Sequence, residues 1–139
     1  MDRPHHAPAG HTRIAAAGLE WDAVKIPRFV GLQVLHALPK PGAVMVEPTD
    51  RALYFLVPPG STAHWTCPQS SPLSESTFVI LPPHSKQSPP GPYWLITPNS
   101  GHLHTDTRVL AAALMNVISG QRSDRPPPPH LNRPNSYQR

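Results

Sequence analysis

Nine histidines, one cysteine and eight acidic residues set the chemistry open to this chain. Metal binding comes first. His102 and His104 flank Leu103, and a His-x-His pair in an extended segment turns both rings to one side, which suits a divalent cation. No third ligand follows at a recognisable spacing. His64, His84 and Cys67 are scattered singly, and His5, His6 and His11 sit in a Pro/Ala/Gly-rich start that reads as a solvated tail. Nucleophilic catalysis fares no better. Nothing beside Cys67 orients a histidine onto it, and Ser85 and Ser100 are loop serines without a G-x-S-x-G turn. Neither phosphate-cradling glycine motif occurs. Paired carboxylates remain. Glu20 and Asp22 have acid-x-acid spacing, and Glu47 and Asp50 stand three apart at a turn. Such pairs hold two cations in phosphoryl transfer. No third acid joins either pair, so both read as solvated turn acids, with Glu47 the one remote metal candidate.

The elements that must position these residues are punctuated by proline, which makes up 21 of the 139 residues. Alternation predicts a strand over Asp22–Ile26. Pro27 ends it and suits the first turn of a helix over Arg28–Leu38. Val30, Val34, Leu35 and Leu38 make the apolar stripe of that helix, and Gly31 weakens it by roughly 1 kcal/mol relative to alanine. Ala43–Glu47 and Arg51–Val57 read as a hairpin about Pro48-Thr49-Asp50. Ser61–Trp65 is a short edge strand, and Thr66–Ser76 a polar loop. Thr77–Leu81 and Tyr93–Thr97 are further strands, each closed by proline. His102–His104 is a brief extended piece. Thr105 caps a second helix, with its buried face at Val109, Leu110, Ala113, Leu114, Val117 and Ile118, and Gly120 ends it. The alanine-rich Ile14–Leu19 forms a helical turn. The expected fold is α+β: a small, mainly antiparallel sheet of about five strands, two helices on one face, and disordered Pro-rich termini. One domain spans 14–119, between tails at 1–13 and 120–139.

Charge is distributed unevenly. Within 14–119 six bases (Lys25, Arg28, Lys40, Arg51, Lys86, Arg108) meet six acids, and the net +4 lies in the tails. A groove that tracks several phosphates needs clustered bases on a folded surface, so the core offers at most a weak nucleic-acid contact. A single cysteine excludes an intrachain disulfide framework. No apolar run reaches the ~20 residues of a membrane span, and the first residues lack the apolar region of a signal peptide. These features suggest a cytoplasmic protein. The Arg, Ala, Pro and Gly bias suggests a GC-rich genome.

Two strand ends carry a resemblance. Leu53-Tyr54-Phe55 followed by Val57-Pro58-Pro59-Gly60 resembles the H-L-Y-F-x-V-P-P-G strand of bifunctional DNA primase/polymerase N-terminal domains, in the archaeo-eukaryotic primase superfamily. Phe78-Val79-Ile80-Leu81-Pro82-Pro83-His84-Ser85 is similar to that family's G-Y-V-V-A-P-P-S, and Gly91-Pro92-Tyr93-Trp94 to the aromatic strand after it. Gly18–Val24, with Pro27 and Gly31-Leu32, resembles short actinobacterial proteins of the same kind. The likeness covers roughly Gly18–Ile118. It implies an α/β module that binds a nucleotide and Mg²⁺ or Mn²⁺ and extends primers. The catalytic residues depart from the pattern. Ala52 stands where the family has histidine, Ser71 falls near its third acid, and Glu47 is the nearest counterpart of its Asp-x-Asp pair. Without acids to hold metal, nucleotidyl transfer loses its main electrostatic support.

The expectation is a primase/polymerase-like domain without catalytic residues and without a cofactor. A weak nucleotide or nucleic-acid contact would run through Arg51, His84 and Lys86. The alternative is a protein-interaction module whose Pro/Arg-rich tail, Arg122–Arg139, docks a protein partner as polyproline II. An active primase/polymerase, with Mg²⁺ or Mn²⁺, is the remaining reading.

Overall fold

Pairing, rather than local propensity, decides how this chain begins. The computed structural model describes residues 12–124. The first element is strand β1, Arg13–Ala16, paired antiparallel with β6, Phe78–Leu81. The helical turn expected over Ile14–Leu19 is not formed. Helix propensity is a weak prior even for alanine, and here the chain gains more by burying Ala15 on the inner side of β1 and Ala17 just past its end.

The main sheet is five-stranded and wholly antiparallel, in the order β5-β2-β4-β3-β7. Its strands are β2 (Asp22–Pro27), β3 (Val44–Glu47), β4 (Ala52–Val57), β5 (Ser71–Leu73) and β7 (Tyr93–Ile96). Thus the expected α+β class and the count of five hold, but the membership differs. Phe78–Leu81 leaves the main sheet for the β1 ribbon, and β5 emerges inside the stretch expected to be loop. Ser-Pro-Leu carries no strand pattern; its ladder with Ala23–Lys25 makes it one. Ser61–Trp65 is a run of turns, with Ser61, Ala63 and Trp65 each donating an N–H to the carbonyl three residues back.

The two helices are α1 (Arg28–Ala37) and α2 (Thr107–Asp124). Pro27 sets the start of α1, and the Arg28 N–H is met by the Arg51 carbonyl at 2.8 Å. Asp106, not Thr105, caps α2. Its carboxylate accepts the Arg108 and Val109 N–H groups at 2.9 and 3.1 Å. Thr105 is buried and accepts the Gly42 N–H at 2.8 Å instead. Gly120 lies inside α2, which runs on to Asp124. Most of the two expected tails lies outside the described residues.

Alternation along the strands builds three layers. Val24, Ile26, Val44, Val46, Leu53, Phe55 and Val57 face both helices, meeting Val30, Val34, Leu110 and Leu114. The opposite face presents Ala23, Met45, Leu56 and Trp94 to Trp21 and to Ala15, Val79 and Leu81 of the β1–β6 ribbon. This double cover explains why the central strands are apolar at nearly every position, unlike an antiparallel sheet with one wet face. No helix among the described residues is long and apolar enough to cross a membrane.

Candidate functional site

The ribbon covers only part of its face of the main sheet. Beyond it, that face continues through Lys25 on β2, Glu47 on β3, Ala52 on β4 and Ser71 on β5. Register sets Ala52 opposite both Glu47 and Pro27, and Ser71 opposite Lys25. A cavity of about 380 Å³ opens here, lined by Lys25, Pro27, Asp50, Ala52, Gln69, Ser70 and Ser71. Its charges neutralise each other: Lys25 Nζ bonds Asp50 Oδ2 at 3.1 Å. The Asp50 hydrogen bond holds the Lys25 ammonium above its ordinary pKa, against the opposing effect of burial. Burial is also the main reason Tyr54, beside Lys25 in the ladder, titrates above its ordinary value.

A second cavity, about 560 Å³, lies on the other side of the β3–β4 turn and shares Pro27 with the first. Pro27, Arg28, Phe29, Leu32, Pro48 and Arg51 line it. Arg51 holds a left-handed backbone, φ 51°, at the end of the turn, a conformation a non-glycine residue adopts at some cost. Phe29 is 74% exposed although it is aromatic and on the first turn of α1. Lys25–Asp50 is the one ion pair among the described residues, so neither guanidinium here is neutralised by a carboxylate among them.

The other expected contacts lie elsewhere. His84 packs edge-on against Trp94, with ring centroids 6.4 Å apart, and helps line a separate cavity of about 230 Å³ beside Trp21, Glu20 and Asn99. Its Nδ1 is buried without a hydrogen-bond partner among the described residues. Lys86 turns back on its own loop, where Nζ donates to the Ser88 carbonyl at 2.5 Å. Thus Arg51 is not drawn into the cavity that His84 lines. The acids are also dispersed. Glu47 Oε2 accepts the Thr49 N–H at 3.0 Å, and Asp50 holds Lys25. Among the described residues no three of His, Cys, Asp and Glu converge as a metal set. His102 and His104 each meet a backbone carbonyl, of Lys40 and Glu20 respectively. Burial raises the Cys67 thiol above its ordinary pKa, away from the reactive thiolate.

Asp22 overturns its expected place as a solvated turn acid. It is fully buried. Oδ2 accepts the Thr62 hydroxyl at 2.6 Å and the Thr62 N–H at 3.3 Å, while Oδ1 accepts the Ser74 hydroxyl at 3.2 Å. Those three donors tie β2 to the turns before and after β5. Two residues of the second cavity, Arg28 and Phe29, escaped the sequence reading. A signal was present: Phe29 lies off the Val30-Val34-Leu38 stripe, so a large aromatic side chain had to face away from the core.

Compared with known proteins, the chain matches no family model, no curated protein and no solved structure.

Proposed function

We propose that this chain is a primase/polymerase-like domain that has lost catalysis and keeps a weak nucleotide or nucleic-acid contact centred on Arg51. The observation that carries this reading is the cavity bordered by both Ala52 and Ser71. Ala52 stands where the family resemblance calls for a histidine, and Ser71 lies near where it calls for an acid. They are distant in sequence, yet they border one space on one sheet face. The residues now present there cannot hold two cations, since the only carboxylate lining the space, Asp50, is engaged by Lys25.

Binding is favoured next to it. Arg28 and Arg51 supply two charges for phosphate, and exposed Phe29 supplies a face on which a base stacks. Two phosphate contacts give little affinity, with a single-strand salt slope of about −1.4. His84 and Lys86 stand outside this contact.

Fluorescence anisotropy of a labelled single-stranded oligonucleotide tests the reading. The full chain should bind weakly and lose affinity with salt. Phe29→Ala should weaken binding by about 1–3 kcal/mol, the usual worth of one stacking contact. Arg51→Gly should weaken it too, while easing the left-handed backbone and so leaving stability equal or higher. Binding that vanishes on neutralising Arg125, Arg133 and Arg139, yet ignores both cavity substitutions, would refer the contact to the tail. Mg²⁺- or Mn²⁺-dependent primer synthesis would overturn the loss of catalysis.

A further inference from the structure

The β1–β6 ribbon has an inner face that builds the core and an outer face that no other element among the described residues covers. Alternation puts Ala15, Val79 and Leu81 inward. It puts Ile14, Phe78 and Ile80 outward, at 71%, 69% and 52% exposure. Register sets Ile14 directly opposite Ile80 and Ala16 opposite Phe78, so the apolar side chains form one block across both strands. Leu19, 76% exposed, extends the block along the edge of β1, across a groove it shares with Ile14 and Ala16. Together these four large side chains open on the order of 500 Å² of apolar surface, at the upper end of the single patch a monomer ordinarily leaves in water.

We infer that this face is the contact between two copies of the chain, packed ribbon against ribbon about a two-fold axis. Three features select a second copy. First, the outward positions of the ribbon carry no charge, and Arg13 and Glu20 border the block only at the groove beside Leu19, so its centre has no ionic pattern with which to choose a different partner. An uncharged apolar block is complementary to itself, which is what an isologous contact needs. Second, the area fits. A stable interface covers about 800 Å² per partner, and the block supplies most of that before any polar rim is added. Third, two ribbons stacked at about 10 Å bury the outward row of each as the inner rows are already buried, which turns the ribbon into the middle of a sandwich. The face lies on the side of the main sheet opposite the helices, so Phe29 on α1 is not part of it.

Sedimentation velocity on the full chain over a range of concentrations tests this. We expect a reversible monomer–dimer equilibrium. Phe78→Lys and Ile80→Lys should each raise the dimer dissociation constant by roughly 30-fold or more, the scale of a central interface residue. Both positions are exposed in the monomer, so circular dichroism, and the thermal midpoint at concentrations where the parent is monomeric, should be close to the parent. Leu95→Lys, at an exposed apolar position on β7, should leave the equilibrium unchanged. A chain monomeric at every concentration overturns the inference. So does a dimer that persists in both ribbon variants, or one that Leu95→Lys disrupts equally.

Discussion

Asp22 is the residue whose chemistry most depends on where the fold puts it. A carboxylate removed from water without a cation is costly unless its oxygens are fully hydrogen-bonded. Thr62 and Ser74 meet that need with three neutral donors. Asp22→Ala would leave the buried Thr62 hydroxyl and N–H without a partner. We expect a loss of about 2–4 kcal/mol in urea unfolding. Asp22→Asn keeps one acceptor for Thr62 and should lose less, about 1 kcal/mol. A loss near zero for the alanine variant would mean that Thr62 finds another partner. At Arg51 the contrast is different. The bend beside it was legible, because proline and aspartate mark it, but the sequence reads Arg51 as the first residue of the strand, whereas the structure keeps it in the turn with a left-handed backbone. Its neighbours across the cavity were not legible, because Arg28 and Phe29 reach it only through the packing of α1 on the turn.

Glycines mark the closest approaches between elements. A Cβ on Gly42 would stand 2.6 Å from the Leu103 carbonyl oxygen and press on the His104 carbonyl, which are backbone atoms with little room to move. The segment before α2 is pinned there: Ala43 donates to the Leu103 carbonyl and Gly42 to the Thr105 hydroxyl. Gly42→Ala should therefore lower stability by about 3 kcal/mol or more, read as a fall in the denaturant midpoint. Gly31 is milder. A Cβ there meets the Leu53 side chain at 2.9 Å, a flexible but fully buried group. Its place in α1 looked like a propensity defect in the sequence. In the fold it is what lets α1 lie close on β4. Gly31→Ala gains roughly 1 kcal/mol of helix propensity and meets that contact, so its loss should be clearly smaller than that of Gly42→Ala.

At the scale of the molecule, one sheet serves two cores. The helices bury one of its faces and the ribbon the other, and the same strands carry both. The layers should therefore unfold together. Far-ultraviolet circular dichroism, weighted to the helices, and the fluorescence of Trp21 and Trp94, buried on the ribbon side and read in a Trp65→Phe background, should give superimposable denaturation curves. Separate midpoints would show that the ribbon layer opens by itself. The sequence by itself determined the α+β class, both helices, the β3–β4 hairpin and the proline-terminated strands. Those follow from contacts within a few residues, where apolar period and backbone restriction act directly. It did not determine that Ile14–Ala16 is a strand, that Ser71–Leu73 joins the main sheet, or that Asp22 is buried. Each of those depends on a partner dozens of residues away: Phe78–Leu81 for β1, Ala23–Lys25 for β5, Thr62 for Asp22. Only the tertiary structure decided them, because local propensity there is weak and the pairing energy is not local.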